Sequence, residues 1–392
     1  MSARSTVGVY TGIALLGLGV TACSSESSTE STGAATPSSA VSLTACPQSP
    51  SGPPPSGAPS GAPSGPPAGA IPMAKTVKAT DTSSSTVITP DGPGVRCGRT
   101  EVTLKQNLTY STPTTAAGQK ADLKLDLQVP KTSGGKPPLV VYITGGGFVM
   151  ADKSANLGER TYVAEQGYAV ASIEYRTGTS GSTYKDGVAD VKSAVRYLRA
   201  HADEYGFDAD KVAVWGQSAG GYLAAMAGAT NGNKQFDSGD NLDRSSDVQA
   251  VVDEFGASDL ATIADDFDAA TKAAYTAPGS FINAYVFGPG SKQTVTSDAA
   301  ANEAADPATY LSASCAPFIL LQGDKDQIIS PSQSLTLLNA LKDKGVEGTR
   351  YVVKGANHGD MSFLGDPTAG AKWSTQQVMG TITDFLNKKL GS

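Results

Sequence analysis

Histidine is scarce in the 392-residue chain, which has two, His201 and His358. A metal site built on several imidazoles is excluded, and a histidine proton shuttle must use one of these two. Cysteine is nearly as rare: Cys23, Cys46, Cys97 and Cys315 are the four, and none forms a C-x-x-C pair or sits in a Cys/His cluster. No metal is expected. No stretch concentrates Lys or Arg, and the formal net charge is −7. Nucleic acid is not an expected partner, because neutralising phosphates requires a clustered positive face. No helix-opening G-x-G-x-x-G and no P-loop Lys-Ser/Thr occurs, so a nucleotide cofactor is not expected either.

A long apolar run is missing as well. The run Thr11–Val20 is shorter than the about 20 residues a membrane-spanning helix needs. Arg4 precedes it, and Arg4 is the sole charged side chain before Glu26. A charged start, a short apolar stretch and small residues at its end read as an export signal over residues 1–22. The signal ends in Val20-Thr21-Ala22-Cys23, which resembles the bacterial lipobox. The resemblance implies acylation of Cys23 and an extracytoplasmic protein held at the cell membrane by its lipid, with an ordinary cleaved signal and secretion as the alternative.

Proline is abundant but local: ten of 23 lie between Pro47 and Pro72. From Ser24 to about Ala70 the chain is Ser, Thr, Gly, Ala and Pro, with Glu26 and Glu30 as its charges. It is expected to be a disordered tether spanning about 40 Å, part of a 23–98 lead-in to a folded domain at 99–392. Cys46 and Cys97 flank the end of the tether and the first ordered residues. They are a candidate disulfide in an oxidising compartment. Cys315 precedes an apolar strand and is expected to be a buried free thiol.

The chain as a whole is 39% hydrophobic, enough to fill a core. Val102–Lys105 and Leu123–Val129 alternate apolar and polar residues and read as an antiparallel pair. Six short apolar runs follow: Leu139–Ile143, Tyr168–Ile173, Val212–Trp215, Val248–Val252, Phe318–Leu321 and Thr349–Val353. Near-continuous apolar strands imply a mostly parallel sheet covered on both faces. Helical spacing recurs between them, at Lys185–Tyr205, Ser332–Lys344 and Thr375–Leu390. The expected class is α/β, doubly wound, led by antiparallel strands. The weakly patterned 258–314 stretch is a candidate lid or pocket wall.

Gly216-Gln217-Ser218-Ala219-Gly220 follows one apolar strand and opens a small-residue helix. This is G-x-S-x-G in the strand–turn–helix setting that lifts a serine hydroxyl over the edge of a sheet. Serine needs a base. His358 lies in the loop Gly355-Ala356-Asn357-His358-Gly359 after a strand, whereas His201 lies at the end of a helix and suits an exposed position. His358 is the expected base. A carboxylate must hold its tautomer, and Gly323-Asp324-Lys325-Asp326 supplies two. Asp326, nearer the loop tip, is preferred to Asp324. Thr144-Gly145-Gly146-Gly147 follows another strand, and glycines let backbone N–H groups face a ligand. Gly146, Gly147 and Ala219 are the candidate oxyanion donors.

In these motifs the chain from about Val102 to Leu390 resembles secreted α/β-hydrolase esterases of the hormone-sensitive-lipase-like group, close to small bacterial carboxylesterases and feruloyl-esterase-like enzymes. The resemblance implies the α/β-hydrolase fold, nucleophile Ser218, acid Asp326, base His358, and a small-molecule or polysaccharide-linked ester as substrate, without a cofactor. Thr144 departs from the His that opens the family's His-Gly-Gly-Gly, so the bonds anchoring that loop must differ. A peptidase or acyltransferase on the same triad, and a non-catalytic surface lipoprotein, are the competing readings.

Overall fold

The computed structural model describes residues 42–49, 71–359 and 369–391. Cys23, the run Thr11–Val20, and the tether apart from residues 42–49 lie outside the described residues. Among the described residues, no helix is long and apolar enough to cross a membrane.

The strands, in chain order, are β1 (Thr44–Ala45), β2 (Thr86–Ile88), β3 (Arg96–Cys97), β4 (Val102–Ser111), β5 (Leu123–Pro130), β6 (Pro138–Ile143), β7 (Ala169–Ile173), β8 (Asp208–Gln217), β9 (Ala250–Glu254), β10 (Phe318–Gly323) and β11 (Gly348–Val353). Nine of them form one sheet in the order β2-β11-β10-β9-β8-β6-β7-β5-β4. β4, β5 and β7 pair antiparallel, and every pairing from β7 across to β2 is parallel. β6, β7, β9 and β10 are buried along their whole length, which is why each carries an apolar run without alternation.

The helices are α1 (Leu157–Glu165), α2 (Tyr184–Ala200), α3 (Ala202–Tyr205), α4 (Ala219–Ala229), α5 (Ala269–Thr276), α6 (Phe281–Phe287), α7 (Ala299–Ala304), α8 (Gln333–Asp343) and α9 (Gln376–Leu390). α2, α4 and α8 contribute to the apolar cluster on one face of the sheet, together with α5 and α6 of the 258–314 stretch. α1 and α9 contribute to a second cluster on the other face.

Five expectations change. The helix expected over Lys185–Tyr205 breaks at His201, which ends α2 and begins α3. His201 is half-buried rather than exposed: its Nδ1 meets the Tyr197 carbonyl at 2.8 Å, and its ring lies 4.2 Å from that of Tyr197. β9 runs two residues further than the apolar run, because parallel pairing with β8 and β10 carries Asp253 and Glu254 into the sheet. Cys315 is a free thiol but half-buried, and its Sγ–H donates to the Ala229 carbonyl at 3.2 Å.

The fifth change concerns the tether. Residues 44–45 pair with β3, and Cys46 is bonded to Cys97 as a disulfide. The Ser49 hydroxyl accepts from the Leu157 N–H at the start of α1. A Ser/Gly/Pro composition hides such a segment, because its order comes from one cross-link and backbone pairing rather than from apolar burial. The lead-in also supplies β2, the edge strand beside β11.

Candidate active site

β8 delivers the chain to a turn so tight that only glycine fits on either side. A Cβ at Gly216 would lie 2.0 Å from the Gly220 carbonyl oxygen, and one at Gly220 would lie 2.0 Å from that of Ile143. Ser218, between them, is held at φ +56°, ψ −120°. Such a conformation costs about 1–3 kcal/mol in a residue with a Cβ and persists because its surroundings impose it. Two bonds do so: the Ser218 N–H donates to the Glu254 carbonyl at 2.9 Å, and the Tyr222 N–H donates to the Ser218 carbonyl at 3.0 Å. α4 starts at Ala219, so the positive end of its backbone dipole adjoins the hydroxyl.

The loops after β10 and β11 bring two further side chains to this point. His358 Nε2 lies 2.7 Å from Ser218 Oγ. On the other side of the ring, Nδ1 lies 2.8 Å from Asp326 Oδ2. Side chains separated by 108 and 32 positions in sequence thus form one continuous relay. Ser218 is 9% exposed, His358 5% and Asp326 0%, so the relay is shielded from bulk water.

Asp326 is fixed by four contacts. Oδ1 accepts from the N–H groups of Ile328 and Ile329, both at 2.9 Å, and Oδ2 accepts from Gln322 Nε2 at 2.9 Å as well as facing the imidazole. Asp324 has a different task. Its carboxylate accepts from the Gly355 N–H at 2.6 Å and so ties together the two loops that carry Asp326 and His358. The His358 ring is held edge-on by Phe255, 4.8 Å between centroids, and Phe255 in turn meets Trp373 at 4.5 Å. Asn357 Oδ1 accepts from the His358 N–H at 2.8 Å and from the Gln327 N–H at 3.0 Å, a cross-brace between the same two loops.

The glycine loop after β6 lies beside the serine. The Cβ that Gly145 lacks would lie 3.2 Å from Ser218 Cβ. Gly146 and Gly147 both take positive φ, +147° and +59°. The question raised by Thr144 has a local answer. Thr144 is buried, and its carbonyl accepts from the Tyr175 hydroxyl at 3.0 Å. Tyr175 follows β7, so the anchor of the loop comes from the neighbouring strand. Phe148, the next residue, stacks on Tyr285 of α6 at 4.3 Å and meets Tyr222 of α4 edge-on at 5.4 Å.

Sequence reasoning missed Tyr175, Phe255, Gln322 and Glu254. Glu254 is fully buried under the serine turn, where Oε2 accepts from Trp215 Nε1 at 2.5 Å and from Gln217 Nε2 at 2.9 Å. Gln217 extends the network, its Oε1 accepting from Tyr142 Oη and from Asn156 Nδ2. Burial pushes the carboxyls of Asp253 and Glu254 each up to about 7. A polar pair ending an apolar strand was the available signal. Among the described residues, no group of three or more His, Cys, Asp or Glu is arranged to hold a metal ion.

Known proteins share this framework. A probable isoprenylcysteine alpha-carbonyl methylesterase of Arabidopsis thaliana is 29% identical over 256 residues, 64% of this chain and 52% of the relative. A probable carboxylic ester hydrolase, LipM, of Mycobacterium tuberculosis is 29% identical over 218 residues, 55% of this chain and 48% of the relative. The chain thus spans about half the length of these curated relatives. Among solved structures, a truncated carbohydrate esterase from gut microbiota superposes with a TM-score of 0.62 at 24% identity, covering 77% of this chain and 100% of that one. Esterase 2 of Thermogutta terrifontis, phosphorylated by paraoxon, superposes with a TM-score of 0.54 at 22% identity, covering 73% of this chain and 94% of that one. These likenesses establish the α/β-hydrolase fold. The model of the BD-FAE family matches residues 125–341, a stretch that includes the serine turn, the glycine loop and Asp326 and stops short of His358. Because that match covers more than half of the chain, this protein belongs to the BD-FAE family.

Proposed function

We propose that the protein is a serine carboxylesterase that hydrolyses carboxylic esters through an acyl-enzyme on Ser218. The observation that carries the reading is the unbroken Ser218–His358–Asp326 relay, 2.7 Å and 2.8 Å at its two links. Ser218 Oγ attacks the ester carbonyl while His358 Nε2 takes its proton. Asp326 holds Nδ1–H toward itself and stabilises the imidazolium that forms. The carbonyl oxygen, now negative, is stabilised by N–H groups of Gly146, Gly147 and Ala219, each donor typically contributing about 3 kcal/mol. His358 returns the proton to the departing alkoxide. Water, activated by the same imidazole, then cleaves the acyl-enzyme.

The substrate class we infer is a small or carbohydrate-linked ester, a reading supported by the fold shared with a carbohydrate esterase. We also infer an extracytoplasmic location, with Cys23 acylated. Its support is the signal-like sequence and a disulfide characteristic of oxidising compartments. The test is hydrolysis of p-nitrophenyl acetate by the wild type and by Ser218→Ala, with labelling by a fluorophosphonate probe. Loss of both in the variant supports the reading; undiminished hydrolysis in Ser218→Ala overturns it.

A further inference from the structure

A strap from the lead-in crosses the rim of the active site, and its first described residue touches the catalytic loop. Ile71 is buried, and its Cδ1 lies 2.2 Å from where a Cβ on Gly147 would be. The methyl therefore fills the space directly over the backbone of a candidate oxyanion donor.

The strap is held along its length. The Tyr275 hydroxyl of α5 lies between two carbonyls that share its one proton, Ile328 at 2.7 Å and Pro72 of the strap at 3.0 Å. Ala74 and Gln327 exchange two bonds, from the Ala74 N–H to the Gln327 carbonyl at 2.9 Å and from Gln327 Nε2 to the Ala74 carbonyl at 2.7 Å. The Lys75 N–H donates to Asp268 at 2.8 Å. Gln327 adjoins Asp326, so the strap is fixed to the carboxylate loop at one point and reaches the glycine loop at another.

We propose that Ile71 is a specificity-determining residue that limits the length of the acyl group accepted beside the glycine loop. The proposal rests on the esterase reading above. The side of the site follows from proton transfer. His358 must protonate the leaving oxygen, so the alcohol lies toward the imidazole. The His358 ring packs on Phe255 and is continuous with Trp373, both members of the cluster that holds α1 and α9. Ile71 belongs to the cluster on the opposite face, with Phe148, Tyr275 and α4. The proposal places the acyl chain, the group that stays on the serine, on that face and against Ile71.

The test measures kcat/KM for p-nitrophenyl esters from acetate to octanoate, and for acetate esters of several alcohols. The variants are Ile71→Ala and Ile71→Val, the second removing only the Cδ1 methyl. The expected result is a rise of at least tenfold in the hexanoate-to-acetate ratio for Ile71→Ala and a smaller rise in the same direction for Ile71→Val. The gain should appear mainly in KM for the longer chains, and the alcohol series should stay within twofold of wild type. An acyl-length profile parallel to wild type in both variants, or a shift confined to the alcohol series, overturns the proposal. Fluorophosphonate labelling of wild-type Ser218 is scored separately: its failure indicts the esterase reading, whereas normal labelling with an unchanged profile indicts Ile71 alone. Should Ile71→Ala not fold, Ile71→Val decides by itself.

Discussion

Glu254 offers a direct measurement of what burial does beneath the serine turn. Its carboxyl has no exposed surface. One oxygen accepts from Trp215 and Gln217, both neutral donors, and among the described residues the other has no hydrogen-bond partner. Burial raises its pKa from 4.5 to about 7, and the nearby charges of Glu159 and Asp253 push in the same direction. A group whose folded pKa is raised holds its proton more tightly in the folded state. The stability it contributes is fully present below pH 4.5 and is lost as pH rises through about 7. With those two values, the wild type loses about 3 kcal/mol between pH 4 and pH 8 through this group. Glu254→Gln copies the shape of the neutral acid and cannot ionise. The variant and the wild type should therefore match near pH 4, and the variant should be more stable by about 3 kcal/mol at pH 8. Asp253, raised to about 7 for the same reason, is present in both proteins and its charge is the smallest of the influences on Glu254, so most of the difference belongs to Glu254. Urea unfolding at a series of pH values, read by tryptophan fluorescence, measures it. Parallel stability-versus-pH curves for the two proteins would refute the argument.

Further outcomes follow from the same geometry. Asp326→Asn should cut kcat by about 10³–10⁴ with little change in KM, since the imidazole loses the carboxylate that holds its tautomer. Asp324→Asn should cost far less, through loosening of the Gly355 contact; steady-state kinetics of the pair would expose a misassigned acid if the order reversed. Tyr175→Phe removes the hydroxyl that anchors the Thr144 carbonyl and should lower kcat by about fivefold, in keeping with about 1 kcal/mol for one lost hydrogen bond, while circular dichroism stays unchanged. Reducing the Cys46–Cys97 bond, or replacing both residues by Ser, should lower unfolding stability by about 4 kcal/mol, the chain-entropy value for a closure of 51 residues.

What the sequence disclosed and what it hid divide along a physical line. Ser218, His358 and Asp326 were legible because each follows an apolar strand, and the chemistry of acyl transfer restricts the residue types. The choice of Asp326 over Asp324 rested on position in the loop; Asp326 faces the imidazole, whereas Asp324 accepts from the Gly355 N–H. Tyr175 was illegible because its role depends on β6 lying beside β7, a pairing that no local pattern announces. α1 was missed for a related reason. Its buried residues run consecutively from Arg160 to Ala164, all round the helix, so burial there follows neither hydrophobicity nor helical spacing. The packed segment at residues 42–49 was concealed by a composition that elsewhere signals disorder.

The disulfide changes what a protease can accomplish. Residues 50–70 run between Ser49, which is bonded to α1, and Ile71, which is seated on the glycine loop. Both flanks belong to one folded body, and the Cys46–Cys97 bond encloses the whole run. A single cut among those Ser, Gly and Pro residues would therefore free neither fragment. The polypeptide would migrate as two pieces on a gel only after reduction, and everything upstream of the nick would stay attached to the enzyme through sulfur.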